Sequence, residues 1–246
     1  MTSDDSVYRA PTSALARPSE GGARSLEAAM AGEFEFDVGS ILREGWDLVS
    51  GSKAVILGGY AVLFGVNLLG SMVGVLASGT DPESVSAVGL VASVASALVQ
   101  MVVQAGLYLY AIKRAAGDDS ASFDDVFAGF AKFGTLVGVA ILSWLLILFG
   151  FVLLIVPGVY LAIAYQMAMP LVIERGLGLW DALETSRKAI THCWFRYLLV
   201  LLVAGLGAGV AAILTLGIGA IWALPFFTLC MGTAYVRIFG HGGARD

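Results

Sequence analysis

Hydrophobic positions in this chain gather in four long uncharged runs, Ala54–Thr80, Ser84–Ile112, Phe133–Ile173 and Tyr197–Val236. A helix that crosses a bilayer needs about 20 mainly apolar residues, so every run is long enough to be a membrane segment. The first two each fit one tilted helix, at about 54–77 and 87–112, joined by a polar turn around Pro82. The other two are too long for a single crossing. About 40 residues make some 60 Å of helix, twice the hydrocarbon thickness, so each folds back on itself. Pro157 and Gly158 mark the hairpin turn in the third run, since proline removes a backbone donor and glycine tolerates turn geometry. Leu216-Gly217-Ile218-Gly219 marks it in the fourth. The spans then fall at about 133–156, 159–174, 196–216 and 219–238. The span at 159–174 is short, which leaves a full crossing and a re-entrant hairpin both open.

The pattern between the runs repeats. Short stretches begin Phe36-Asp37-Val38, Phe123-Asp124-Asp125-Val126 and Trp180-Asp181-Ala182, each with an aromatic residue followed by an acid. An acid there suits a helix N-terminus, where orphan N–H groups and the helix dipole favour negative charge. In the third stretch Leu179, Leu183, Ser186, Ile190, Cys193 and Trp194 share one helical face, and Asp181, Glu184, Lys188 and Thr191 the other. Such a helix either lies in the membrane interface or packs on the bundle as a connector. The expected fold is therefore all-α: a polytopic membrane protein of six transmembrane helices in three hairpins, each preceded by a short amphipathic interfacial helix.

Composition agrees. The chain is 58% hydrophobic and 13% charged, against about 25% charged in soluble domains. Residues 1–35 hold no apolar run and read as a disordered tail, 36–240 as the membrane domain, and 241–246 as a second tail. No signal peptide is visible, so the first span is expected to act as its own insertion signal.

Charge gives a direction. All 14 Lys and Arg residues lie outside the uncharged runs, and all can sit on one side of the membrane. By the positive-inside rule both termini are expected to be cytoplasmic, in a bacterial inner membrane. Tyr108, Tyr110, Trp180, Trp194, Tyr197 and Tyr235 are expected near the same side, as interfacial aromatics.

Candidate chemistry is sparse. No charged residue lies deep in a span, and no GxSxG, HExxH, phosphate-binding loop or dinucleotide fingerprint occurs. Cys193 and Cys230 form no CxxC pair, and neither histidine has a ligand partner at metal spacing. No catalytic residue, cofactor or metal is expected, and no nucleic-acid partner. Gln100, Gln104 and Gln166 either line a polar path or bond neighbouring helices. Arg187, Lys188, His192 and Arg196 are candidates for contact with lipid headgroups. GxxxG spacings at Gly70/Gly74, Gly134/Gly138 and Gly205/Gly209 point to close helix packing, inside the bundle or between copies of it.

The segment Ile155-Val156-Pro157-Gly158-Val159-Tyr160-Leu161, with Pro170, Glu174-Arg175-Gly176, Ala182-Leu183 and Ser186, resembles a bacterial and archaeal group of six-span membrane proteins of mostly unknown function. That group is related to the membrane domain of some glycerophosphoryl diester phosphodiesterases. The phosphodiesterase catalytic domain is absent here, so the resemblance implies a fold and not a chemistry. Three readings follow: a non-enzymatic membrane organiser or partner subunit, contacting lipids and a second copy or a membrane partner; a channel or carrier for a small or lipid-like solute; and an accessory to lipid-headgroup metabolism.

Overall fold

The computed structural model describes residues 25–78 and 86–242. Those residues form helices and connections, with no strand among them. The order is α1 (Leu26–Ala31), α2 (Val38–Ser78), α3 (Ala87–Ala116), a 3-10 segment (Phe123–Lys132), α4 (Phe133–Leu153), α5 (Ile155–Ala164), α6 (Ala168–Arg175), α7 (Leu179–Leu214) and α8 (Ala220–Phe239). Six helical stretches are long and apolar enough to cross a membrane. The chain is a multi-pass, all-α membrane protein.

The helices pair as α2–α3, α4 with α5–α6, and α7–α8, and α8 packs between α2 and α3. Buried side chains concentrate where the N-terminal half of α2, the C-terminal half of α3, α6, the start of α7 and the end of α8 meet. The far ends of the hairpins are apolar and uncovered. Leu76, Leu154 and Leu216 are 78%, 69% and 95% exposed, an arrangement that water would not tolerate and acyl chains would.

Glycines set the closest approaches, though not mainly the paired ones. A Cβ on Gly232 of α8 would stand 2.5 Å from the Ala111 backbone of α3, and one on Gly129 would stand 2.6 Å from the Val102 carbonyl oxygen. A Cβ on Gly106 would collide with the Val126 carbonyl. Among the GxxxG positions, Gly70 abuts Ser96 of α3, whereas a Cβ on Gly74 would meet nothing within 4 Å, although one on Gly89 of α3 would stand 3.4 Å from the Gly74 Cα. Gly138 meets Leu179 and Gly205 meets Phe227, whereas Gly134 and Gly209 face open space. Spacing alone therefore overstated their part in packing within the bundle.

The amphipathic stretches take three different forms. The first is continuous with its span in the 41-residue α2, its N-terminus capped by Asp37, which accepts from the Ser40 N–H at 2.7 Å. The second is the 3-10 segment, with Asp125 accepting from the Ser122 N–H. The third runs into its span within α7 and bends at Cys193, whose φ of −126° and ψ of 19° leave the helical region. Most of its apolar face is covered by protein. Leu183, Ser186, Ile190 and Cys193 are buried where the start of α7 packs on α5, α6 and α1, as a connector would.

The turn in the third run also differs from expectation. The chain breaks at Leu154, which is extended (φ −165°, ψ 155°), just ahead of Pro157. Pro157 lies in the first turn of α5, where its missing N–H would have found no helical partner anyway. Gly158 stays at the crossing, because a Cβ there would strike the Phe151 ring. In the fourth run the turn falls where expected, with Leu216 and Gly217 at φ +52° and +93°. Of the expected tail, residues 1–24 lie outside the described residues, as do the turn around Pro82 and residues 243–246. Residues 26–31 are helical instead, because Ser25 caps α1 and Gly32 ends it in the left-handed region. Ala29 and Phe36 are buried against the bundle.

Candidate functional site

The most strongly built polar region starts at a break in the fourth span. Helices α5 and α6 are separated by Tyr165, Gln166 and Met167, and Pro170 in the first turn of α6 has no N–H to continue the ladder. The buried Ser186 of α7 repairs the gap. Its hydroxyl donates to the Ala164 carbonyl at 2.6 Å and accepts from the Met167 N–H at 3.2 Å. Irregular backbone at membrane depth survives where protein groups satisfy it in this way.

Beside the break lies a cavity of about 10 Å³, bordered by Tyr108, Gln166, Pro170, Tyr197, Met231 and Tyr235. That space holds at most one water. Gln166 borders it; Gln100 and Gln104 do not, so the three glutamines do not converge. Tyr197 and Tyr235 are buried core residues and so is Tyr110, covered by neighbouring helices. Trp180 is exposed as expected.

From the cavity, polar contacts lead to the basic end. Tyr235 donates its hydroxyl to Glu174 Oε2 at 2.8 Å. Glu174 also accepts from the Gly242 N–H at 2.6 Å, and Arg175 Nε stands 2.6 Å from it in a charge contact. His241 bridges two carboxylates, with Nδ1 3.1 Å from Glu174 and Nε2 3.2 Å from Asp118. Arg175 donates to the Phe239 carbonyl at 2.7 Å. The last turn of α8 and the residues after it are thus clamped to α6 and to the loop after α3. The Glu174 side chain is 3% exposed.

Two of these groups lie outside the spans, and their titration is displaced. Contact with the Glu174 carboxylate holds the His241 imidazolium above the ordinary histidine value, against the opposing effect of burial. The Ser120 N–H, and then His241, hold Asp118 below the usual carboxylate value. His241 had no sequence signal beyond its place in a tail, and the clamp was missed for that reason.

Other charges at this end act in the same manner. Lys113 pairs with Asp125 at 2.6 Å, Arg237 pairs with Glu44, and Lys132 donates to the Val172 and Ile173 carbonyls at the end of α6. The expected headgroup residues divide. Arg187 and Lys188 both hold Glu184, at 2.8 and 3.3 Å, and remain partly exposed. His192 contacts the Met30 carbonyl and Arg196 donates to that of Phe36, fixing α1 and its connection to α2. Among the described residues no cluster of His, Cys, Asp and Glu has the arrangement to hold a metal ion. Comparison with family models, with curated proteins and with solved structures returns no match.

Proposed function

We propose that this chain is a non-enzymatic scaffold of the bacterial inner membrane, acting in membrane organisation or as the subunit of a membrane assembly. Its basic end and both termini face the cytoplasm. One observation carries the reading: the charged groups around Glu174 bind one another and the helix termini instead of converging on a vacant site. Glu174, His241, Asp118 and Arg175 clamp the C-terminal residues, and Lys132 caps α6. The resemblance around Pro157 supports the same reading, since it implies a fold without a chemistry.

Reconstitution tests it. Vesicles carrying the full chain, loaded with small fluorescent solutes or bearing labelled phospholipid in one leaflet, are expected to leak and to scramble lipid no faster than empty vesicles. Solute flux or lipid translocation above that background overturns the scaffold reading and favours the carrier.

A further inference from the structure

A groove of about 580 Å³ runs between α5 and the bend of α7, away from the clamp. Its walls are Ile155, Val156, Val159 and Tyr160 on one side and Thr191, Trp194 and Phe195 on the other. Cys193, where α7 leaves helical geometry, lies between Thr191 and Trp194 of the second wall. Polarity changes along its length. The hairpin end is wholly aliphatic and open, with Ile155 and Val156 more than 70% exposed. At the other end the Tyr160 and Thr191 hydroxyls bond each other at 2.6 Å, and the Trp194 indole N–H donates to the Tyr160 carbonyl at 3.3 Å.

The cations Arg187 and Lys188 stand one helical turn further toward the basic end. Thr191 donates to the Arg187 carbonyl, and the Arg187 side chain reaches the neighbourhood of the Tyr160 hydroxyl. Glu184 engages Nε and Nη2 of Arg187 and one contact of Lys188. Among the described residues, that leaves Nη1, further ammonium protons and one net positive charge on this turn of α7. An apolar slot in a membrane segment, closed by hydroxyls and then by a cationic mouth, matches the order of groups along a phospholipid with a negative headgroup. Arginine and lysine donors to phosphate form charge-assisted bonds, stronger than neutral ones.

We propose that this groove seats one acyl chain of an anionic phospholipid, with its phosphate on Arg187 and Lys188. The lipid is a bound component, and its seat exists whether or not the chain acts as a scaffold.

Native mass spectrometry of the full chain, titrated in mild detergent with phosphatidylglycerol and with phosphatidylethanolamine of the same acyl chains, tests the proposal. One phosphatidylglycerol is expected to bind at least tenfold tighter than phosphatidylethanolamine. Val159→Trp, which fills the slot, is expected to abolish that lipid. Arg187→Gln with Lys188→Gln is expected to remove the preference, and Leu206→Trp, on another exposed apolar face, to leave it unchanged. Equal affinity for the two lipids, or undiminished binding by Val159→Trp, overturns the proposal. So does glycerol 3-phosphate displacing the lipid, which would mark an anion site without an acyl seat. A second readout does not depend on filling the slot. Brominated-chain phosphatidylglycerol is expected to quench the emission that Trp194→Phe removes, and absence of quenching also overturns the proposal.

Discussion

The Tyr235 hydroxyl meets the Glu174 carboxylate at 2.8 Å, tying the C-terminal part of α8 to the end of α6, where both side chains are buried. This bond joins the tyrosine-lined cavity to the clamp that holds the C-terminal residues. Hydrogen bonds to charged groups contribute about 1.5–3 kcal/mol. Tyr235→Phe is therefore expected to destabilise the protein by about that amount, read as a lower Tm in detergent. An unchanged Tm would mean that Glu174 finds another donor.

The clamp should respond to pH. The folded His241 value lies above its ordinary value of about 6.5, because Glu174 and Asp118 face it while Arg175 pairs with Glu174 from the same side. A raised folded value means that the stabilisation is fully present below the unfolded value. It is lost as pH rises through the folded one. Stability is expected to fall as pH rises above the ordinary histidine value of about 6.5, with the slope flattened in His241→Gln. A wild-type slope identical to that of the variant would contradict the assignment.

Ser186 is the repair of a broken helix, so its loss should cost more than a surface hydroxyl. Ser186→Ala orphans the Ala164 carbonyl and the Met167 N–H, and each buried unsatisfied group costs about 1–3 kcal/mol. Thermal unfolding of Ser186→Ala beside Thr191→Val is expected to show the larger loss at Ser186.

Glycine substitutions separate packing from spacing. Gly232→Ala drives a methyl into the Ala111 backbone and is expected to cost about 1–3 kcal/mol. Gly209→Ala meets nothing within 4 Å and, in the interior of α7, is expected to gain up to about 1 kcal/mol of helix propensity. A Gly209→Ala variant as damaged as Gly232→Ala would mean that Gly209 packs against a second copy.

Much of this architecture was legible because the membrane imposes a coarse rule. Apolar runs of sufficient length must be helices, and charges must leave them, which located the six spans and the turn at Gly217. What escaped were contacts between positions remote in sequence. Nothing local in Gly232 or Gly106 distinguishes them from Gly209 and Gly134; the difference is the neighbouring backbone. Amphipathicity in α7 specified a buried face without saying whether lipid or α5 covers it. His241 lacks any motif, because its partners Glu174 and Asp118 arrive from other elements. Pro157 misplaced the turn because proline in a first turn starts a helix as readily as it ends one.

Labelling of single cysteines, in a background lacking Cys193 and Cys230, tests most directly whether the clamped basic end faces the cytoplasm. Ser120→Cys lies in the exposed loop beside the clamp, and Thr80→Cys lies in the connection after α2, outside the described residues. Gly117 is left alone because its φ of +73° suits glycine. With a thiol reagent that cannot cross membranes, intact spheroplasts are expected to label position 80 and not position 120, which becomes reactive when the membrane is opened. Labelling of position 120 but not position 80 in intact spheroplasts would contradict the orientation and the scaffold built on it.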